Sequence, residues 1–285
     1  MKIEYSCRLC GSKSISPISF EERLGKIYHI VHCSDCELIQ TVEHYSEVSP
    51  DYVDLVNFEI DENRLWCQNT HKVPAFKQWH FASKKYISDE KPRLLDVGCG
   101  TGGFLSFVAS NGFMPYGFDA SEAQAEYAQK NHPNVRHAKT FDNYSKKLGE
   151  LNPKFDVITL WDVLEHIRAP SEFLLEASKI IKPGGYIFVS VPNGGAIYWK
   201  RKIYSILGKR PDLIPWEHVY YFSNRSLKLC LEKAGFNILK IGNVVCYPRP
   251  LSVFEILRRV GFLFFTFYPK ASPQIYAWAK LEKHP

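Results

Sequence analysis

Three groups of residues in this chain could do chemistry: paired cysteines, an acid set among glycines, and acids next to histidines. Cys7-Arg-Leu-Cys10 and Cys33-Ser-Asp-Cys36 form two Cys-x-x-Cys knuckles 22 residues apart. Four thiolates in that arrangement suit a tetrahedral zinc with no open coordination position, a structural rather than a catalytic site. Asp96-x-Gly98-x-Gly100-x-Gly102 follows a short apolar run and precedes another. Glycines there let a ligand lie against backbone, and the next helix offers free N–H groups. The spacing is not the G-x-G-x-x-G of dinucleotide sites, and Asp96 suits an ammonium group better than a pyrophosphate. Glu217-His218 pairs an imidazole of near-neutral intrinsic pKa with an acid that can orient it, the parts of a general base. Asp162, Glu165 and His166 have the i, i+3, i+4 spacing that shares one helix face.

The elements that must position these groups alternate. Leu94–Val97 reads as a buried strand and Phe104–Ala109 as the helix after the glycine turn. A second strand ends at Asp119, 23 positions after Asp96, where a carboxylate can accept from both hydroxyls of a ribose. A helix from Ser121 to Asn131 opens with Ser121 and Glu122, and residues 137–144 hold a third strand and its loop. Phe155–Leu160 is a fourth strand, with Trp161 and Asp162 at the carboxyl edge, where open α/β sheets bind ligands. Pro183-Gly-Gly185 turns into a fifth strand, Tyr186–Val191. Strands alternating with helices imply a parallel sheet covered on both faces.

Four segments, the D-x-G-x-G-x-G loop, the acid at Asp119, Trp161-Asp-Val-Leu-Glu-His-Ile167 and the Lys182-Pro-Gly-Gly turn, stand in an order that resembles the class I S-adenosylmethionine-dependent methyltransferases. The resemblance covers about Leu94 to Leu239. It implies a doubly wound, Rossmann-like α/β fold with a seven-stranded methyltransferase sheet, its sixth and seventh strands at 237–246 and 274–280 paired antiparallel. It implies S-adenosylmethionine as cofactor, with Asp96, Gly98, Gly100, Gly102, Asp119, Thr140, Phe141, Trp161 and Asp162 around it.

The Glu217-His218 pair before Tyr-Tyr-Phe resembles a segment of zinc-containing sugar C-methyltransferases. By that resemblance, His218 and Glu217 are the catalytic candidates and the acceptor is a small polar molecule, a nucleotide- or lipid-linked sugar, methylated on carbon or oxygen. Some relatives use a similar Glu-His helix start and a later histidine to hold a divalent cation. A Mg-assisted O-methyltransferase using Asp162, Glu165, His166 and His218 is therefore an alternative. A non-catalytic binding module of the same fold is another.

Chain-wide properties set the frame. The 285 residues give room for residues 1–45 as a zinc-binding ribbon, 46–92 as a helical entry segment and 93–285 as the cofactor domain, with a lid insertion at 194–222. The ribbon is too small to bury a core of its own and would draw stability from the metal. A formal charge of +6, with Lys and Arg scattered, does not indicate a nucleic-acid partner. No run reaches membrane-spanning length and the N-terminus lacks a signal segment, so a cytoplasmic protein is expected. Residues 251–268 are aromatic and apolar around Arg258 and Arg259, and could make peripheral contact with the inner membrane face.

Overall fold

The computed structural model describes residues 6–23, 25–42, 60, 65, 70–138, 154–206, 213–215, 217–244 and 272–282. Two sheets organise them. Strand β1 (Ile15–Arg23) and β2 (Lys26–Cys33) form an antiparallel hairpin, and the short β3 (Ile39–Thr41) pairs with β2. The fourth strand of this sheet comes from far along the chain: β9 (Tyr220–Tyr221) pairs antiparallel with β3.

Between them, α1 (Val73–Ser83) leads into β4 (Arg93–Val97), α2 (Gly103–Ala109) and β5 (Met114–Asp119). Then come α3 (Glu122–Gln129), β6 (Val135–His137), β7 (Phe155–Trp161) and a 3-10 turn at Leu164–His166. Elements α4 (Pro170–Ile180), β8 (Ile181–Pro192) and α5 (Gly194–Ile206) follow. After β9, α6 (Asn224–Lys233), β10 (Phe236–Asn243) and β11 (Gln274–Leu281) close the chain.

The large sheet has the order β10-β11-β8-β7-β4-β5-β6. Its β6, β5, β4, β7 and β8 are parallel, while β11 runs antiparallel to β8 and β10. All seven residues of β7 are buried, as a central strand covered on both faces requires. One face packs α4 and α6 through Leu174, Ala177, Leu227 and Leu231. The other packs α1, α2 and α3 through Trp79, Leu105, Ala125 and Ala128. The seven-stranded α/β fold expected from the sequence is present.

Three boundaries differ from expectation. Strand β8 begins at Ile181 and passes through the Pro-Gly-Gly segment, where Gly184 (φ 74°) absorbs the bend inside the strand. Strand β6 ends at His137, and residues 139–153 lie outside the described residues. Asp162 ends β7 in the left-handed region (φ 57°), so the chain reverses there and only a short turn follows. Among the described residues no helix is long and apolar enough to cross a membrane; residues 251–268 lie outside them.

The cysteine module is built into the main core. Cys7, Leu9, Cys33, Cys36 and Leu38 share one buried cluster with Leu95, Tyr220, Phe222 and Cys230. A small segment with little core of its own thus borrows one.

Candidate active site

The glycine turn sits between the carboxyl ends of β4 and β5. Gly98, Gly100 and Gly102 take φ 71°, 57° and 84°, conformations costly for any residue with a Cβ. At Gly98 a Cβ would also lie 2.5 Å from Val163 Cγ2, so the backbone runs close under the segment after β7. The Gly100 N–H donates to Asp119 Oδ2 and the Ser121 N–H to Asp119 Oδ1, both at 2.8 Å. Asp119 therefore ties the glycine turn to the start of α3, whose N-cap is Ser121.

Asp96 is 2% exposed, and Thr159 Oγ1 donates to its Oδ1 at 2.6 Å. Burial pushes its carboxyl up to about 7, against the pull of the Thr159 hydrogen bond and the Lys72 charge. A bound cation would return that carboxyl to the ionised form. Two buried acids beside a turn that admits no side chains make a cradle for a ligand carrying an ammonium and a hydroxylated ring. S-adenosylmethionine is such a ligand.

Asp162 departs from the expected cluster. Its reversed backbone turns the carboxylate toward Lys72 Nζ at 2.7 Å and toward the Gln274 amide. It does not join Glu165 and His166 on a helix face, because no α-helix forms there. Trp161 is buried among Phe76, Phe104 and Phe188. Thr140 and Phe141 lie outside the described residues.

The group that does form is Glu165, His166 and His218, with ligand-type atoms all within 4.8 Å of one another. The imidazoles of His166 and His218 meet edge-on at 4.9 Å. His166 Nδ1 is 2.8 Å from the Glu217 carbonyl, and the Val219 N–H donates to the Glu165 carbonyl at 2.9 Å. Glu217 meets His166 through its carbonyl and Ile214 through its N–H, and the groups that act on the His218 imidazole are His166 and Asp162 rather than the Glu217 carboxylate.

Glu165 is wholly buried and neither carboxyl oxygen has a hydrogen-bond partner. Burial, with Asp162 nearby, pushes its carboxyl well above the ordinary carboxylate value. His218 is pushed down to about 4 by burial and by His166, and its Nδ1 is unpartnered. Burial likewise lowers His166. Two uncharged imidazoles can accept protons here.

The segment carrying His218 is held by the cysteine module. Thr41, fully buried, donates from Oγ1 to the His218 carbonyl at 3.1 Å and from its N–H to Val219 at 2.9 Å. Neither Thr41 nor Lys72 carries a sequence signal; each became visible only through a long-range contact.

Cys7 and Cys36 sulfurs lie 3.4 Å apart, and those of Cys10 and Cys33 3.6 Å. A disulfide needs about 2.05 Å, whereas Zn–S bonds of about 2.3 Å put tetrahedral ligands about 3.8 Å apart. The four thiols therefore fit a zinc ion. The Cys7–Cys36 contact lowers the Cys7 thiol to about 5 and raises Cys36, while burial raises Cys10. His29 and His32 stay outside the set; His32 stacks on Tyr198 at 4.3 Å.

Comparison with known proteins agrees with this geometry. A family model described as a methyltransferase domain matches residues 59–241. A ubiquinone biosynthesis O-methyltransferase of Coxiella burnetii is 28% identical over 71% of this chain and 89% of its own. One of the same name from Pseudomonas fluorescens is 28% identical over 55% and 69%. A solved S-adenosylmethionine-dependent methyltransferase of Thermotoga maritima superposes with TM-score 0.50 at 17% identity, over 77% of this chain and 95% of its own. The Coxiella and Pseudomonas relatives carry O-methyltransferase names and the Thermotoga structure is described as a possible histamine N-methyltransferase, whereas the Glu217-His218 segment resembles sugar C-methyltransferases. The matched family segment begins after the cysteine module, which stands outside it.

Proposed function

The chain belongs to the methyltransferase-domain family and is an S-adenosylmethionine-dependent methyltransferase, and from that premise we propose that it methylates an oxygen of a small polar acceptor, a nucleotide- or lipid-linked sugar, with His218 as base. The observation that carries the base assignment is the uncharged, unpartnered imidazole of His218 beside His166 and Glu165. The names of the relatives support oxygen over carbon as the attacked atom.

When bound, S-adenosylmethionine supplies an electrophilic sulfonium methyl, so the protein need only align the acceptor and remove its proton. Asp96 holds the ammonium end and Asp119 the ribose, each at the carboxyl end of its strand. Lys72 neutralises Asp162 and leaves Asp96 the acid for the ammonium. His218 would accept the proton of the acceptor hydroxyl as its oxygen takes up the methyl group that bound S-adenosylmethionine would supply. A base held near 4 is weak, and takes a proton from an acidic hydroxyl or late in bond formation. The cysteine module binds a structural zinc in this reading.

A second reading rests on Glu165, whose two unpartnered oxygens beside two imidazoles suit a divalent cation that would acidify the acceptor hydroxyl. The deciding experiment measures turnover of a methyl-labelled donor with an extract fractionated into aqueous and lipid parts, with and without magnesium. Label in a sugar nucleotide or lipid-linked sugar, insensitive to magnesium, supports the base reading. Strict magnesium dependence transfers the assignment to the cation.

A further inference from the structure

A second cavity, about 220 Å³, opens on the seam between the cysteine module and the large domain. Arg8 of the cysteine module lines it together with Arg168, Ser171 and Tyr220 of the large domain. Arg8 is fixed by its place inside the first knuckle. Its N–H donates to Gln40 Oε1 at 3.1 Å, and Gln40 is itself fully buried and holds the Ser6 carbonyl. Tyr220 Oη accepts from the Arg8 side chain and donates to the Arg168 carbonyl at 2.8 Å. One buried phenol thus links both arginines.

The charge favours an anion. Two guanidinium groups line the cavity, and the amine of Lys233 reaches the carbonyl of Leu9 on its wall. Among the described residues the one acid in the lining, Glu172, is exposed. Pro170 opens α4 at the rim with no side-chain cap. Guanidinium forks match phosphate oxygens in geometry and remain charged at any working pH.

Position ties the cavity to the reaction. Residues 165–168 and 217–220 run side by side, joined at Val219–Glu165, His166–Glu217 and Tyr220–Arg168. His166 and His218 lie at one end of these two segments, and two residues further on stand Arg168 and Tyr220, the latter bonded to the Arg8 side chain. Two extended residues span at most about 7 Å. That is the reach between a sugar ring and the phosphates it carries.

We propose that this cavity, built jointly by Arg8 of the cysteine module and Arg168 of the methyltransferase domain, binds the diphosphate of the acceptor. It rests on the phosphate-linked sugar reading for its occupant, but not for the binding itself. The module outside the family segment thereby contributes to acceptor selection as well as to stability.

Inorganic pyrophosphate titrated calorimetrically into the zinc-loaded full chain tests this, at constant ionic strength. Saturable binding that weakens at least about tenfold in Arg8→Gln and in Arg168→Gln is expected, since each removes a charge-assisted hydrogen bond. Absence of binding, or equal binding by wild type and both variants, overturns the proposal. Arg168→Gln lies outside the knuckles, so zinc content and melting temperature will show that its fold is retained. Competition by a nucleoside diphosphate or by an isoprenyl diphosphate in vesicles identifies which source fills the cavity. S-adenosylhomocysteine titrated into the same variants should bind unchanged. Its failure to bind wild type strikes the methyltransferase reading, whereas failure of pyrophosphate strikes only the cavity.

Discussion

At the scale of single residues, the site separates acids by their surroundings. Asp96 titrates near 7 in the free protein because burial outweighs its partners. A cofactor ammonium requires it ionised, so binding below neutrality must expel a proton. Affinity for S-adenosylhomocysteine should therefore fall as pH drops from about 7 to 5, and Asp96→Asn should flatten that dependence; calorimetry in buffers of different ionisation enthalpy reads both. The stability signs oppose one another. Asp96, raised from its unfolded value, contributes stability that is complete below about 4 and is lost as pH rises through 7. His218, lowered from 6.5 to about 4, gives the reverse: its contribution is full above 6.5 and lost as pH falls toward 4. In His218→Gln the melting temperature should decline less between pH 6.5 and 4 than in wild type. Asp96, Asp119 and His218 were legible as residue types at motif spacing. The raised carboxyl of Glu165 was not, since burial is a property of the packed chain.

At the scale of elements, two joints carry the site. The first is the glycine turn under Val163. Gly98→Ala forces a positive φ and a 2.5 Å approach, and should cost more than about 1 kcal/mol of stability while abolishing cofactor binding. Thermal melting with and without S-adenosylhomocysteine measures both. The second joint is β3 on β9. Thr41→Val removes the hydroxyl that holds the His218 carbonyl and leaves a buried acceptor unmet, at about 1–3 kcal/mol. It should lower kcat with little change in cofactor KM, and Thr41→Ser should restore most of it. Sequence order revealed the β/α alternation because a central strand such as β7 is mostly apolar and α3 begins with a legible cap at Ser121. It could not reveal that β3 and β9 pair, because Ile39 and its partner Tyr221 stand 182 positions apart, and strand pairing over such distances leaves no local pattern. The same blindness explains Asp162: i, i+3, i+4 spacing implies a helix face only if a helix forms, and its left-handed backbone forbids one.

At the scale of the whole molecule, a small metal-type module and a large α/β domain share one core, and the base segment lies where they meet. Zinc removal should therefore do more than unfold the first 42 residues. With Cys33→Ser, hydrogen exchange should quicken in 218–222 as well as in β2, while the turn at 98–102 stays protected. The account's central claim is that this fold binds S-adenosylmethionine and uses His218 to accept the acceptor's proton. The most direct measurement is label transfer from methyl-labelled S-adenosylmethionine by wild type and His218→Gln on one purified acceptor, with S-adenosylhomocysteine affinity measured on the same samples. Turnover reduced by at least about 100-fold with cofactor affinity unchanged is the predicted result. Equal turnover by the two proteins would contradict the account.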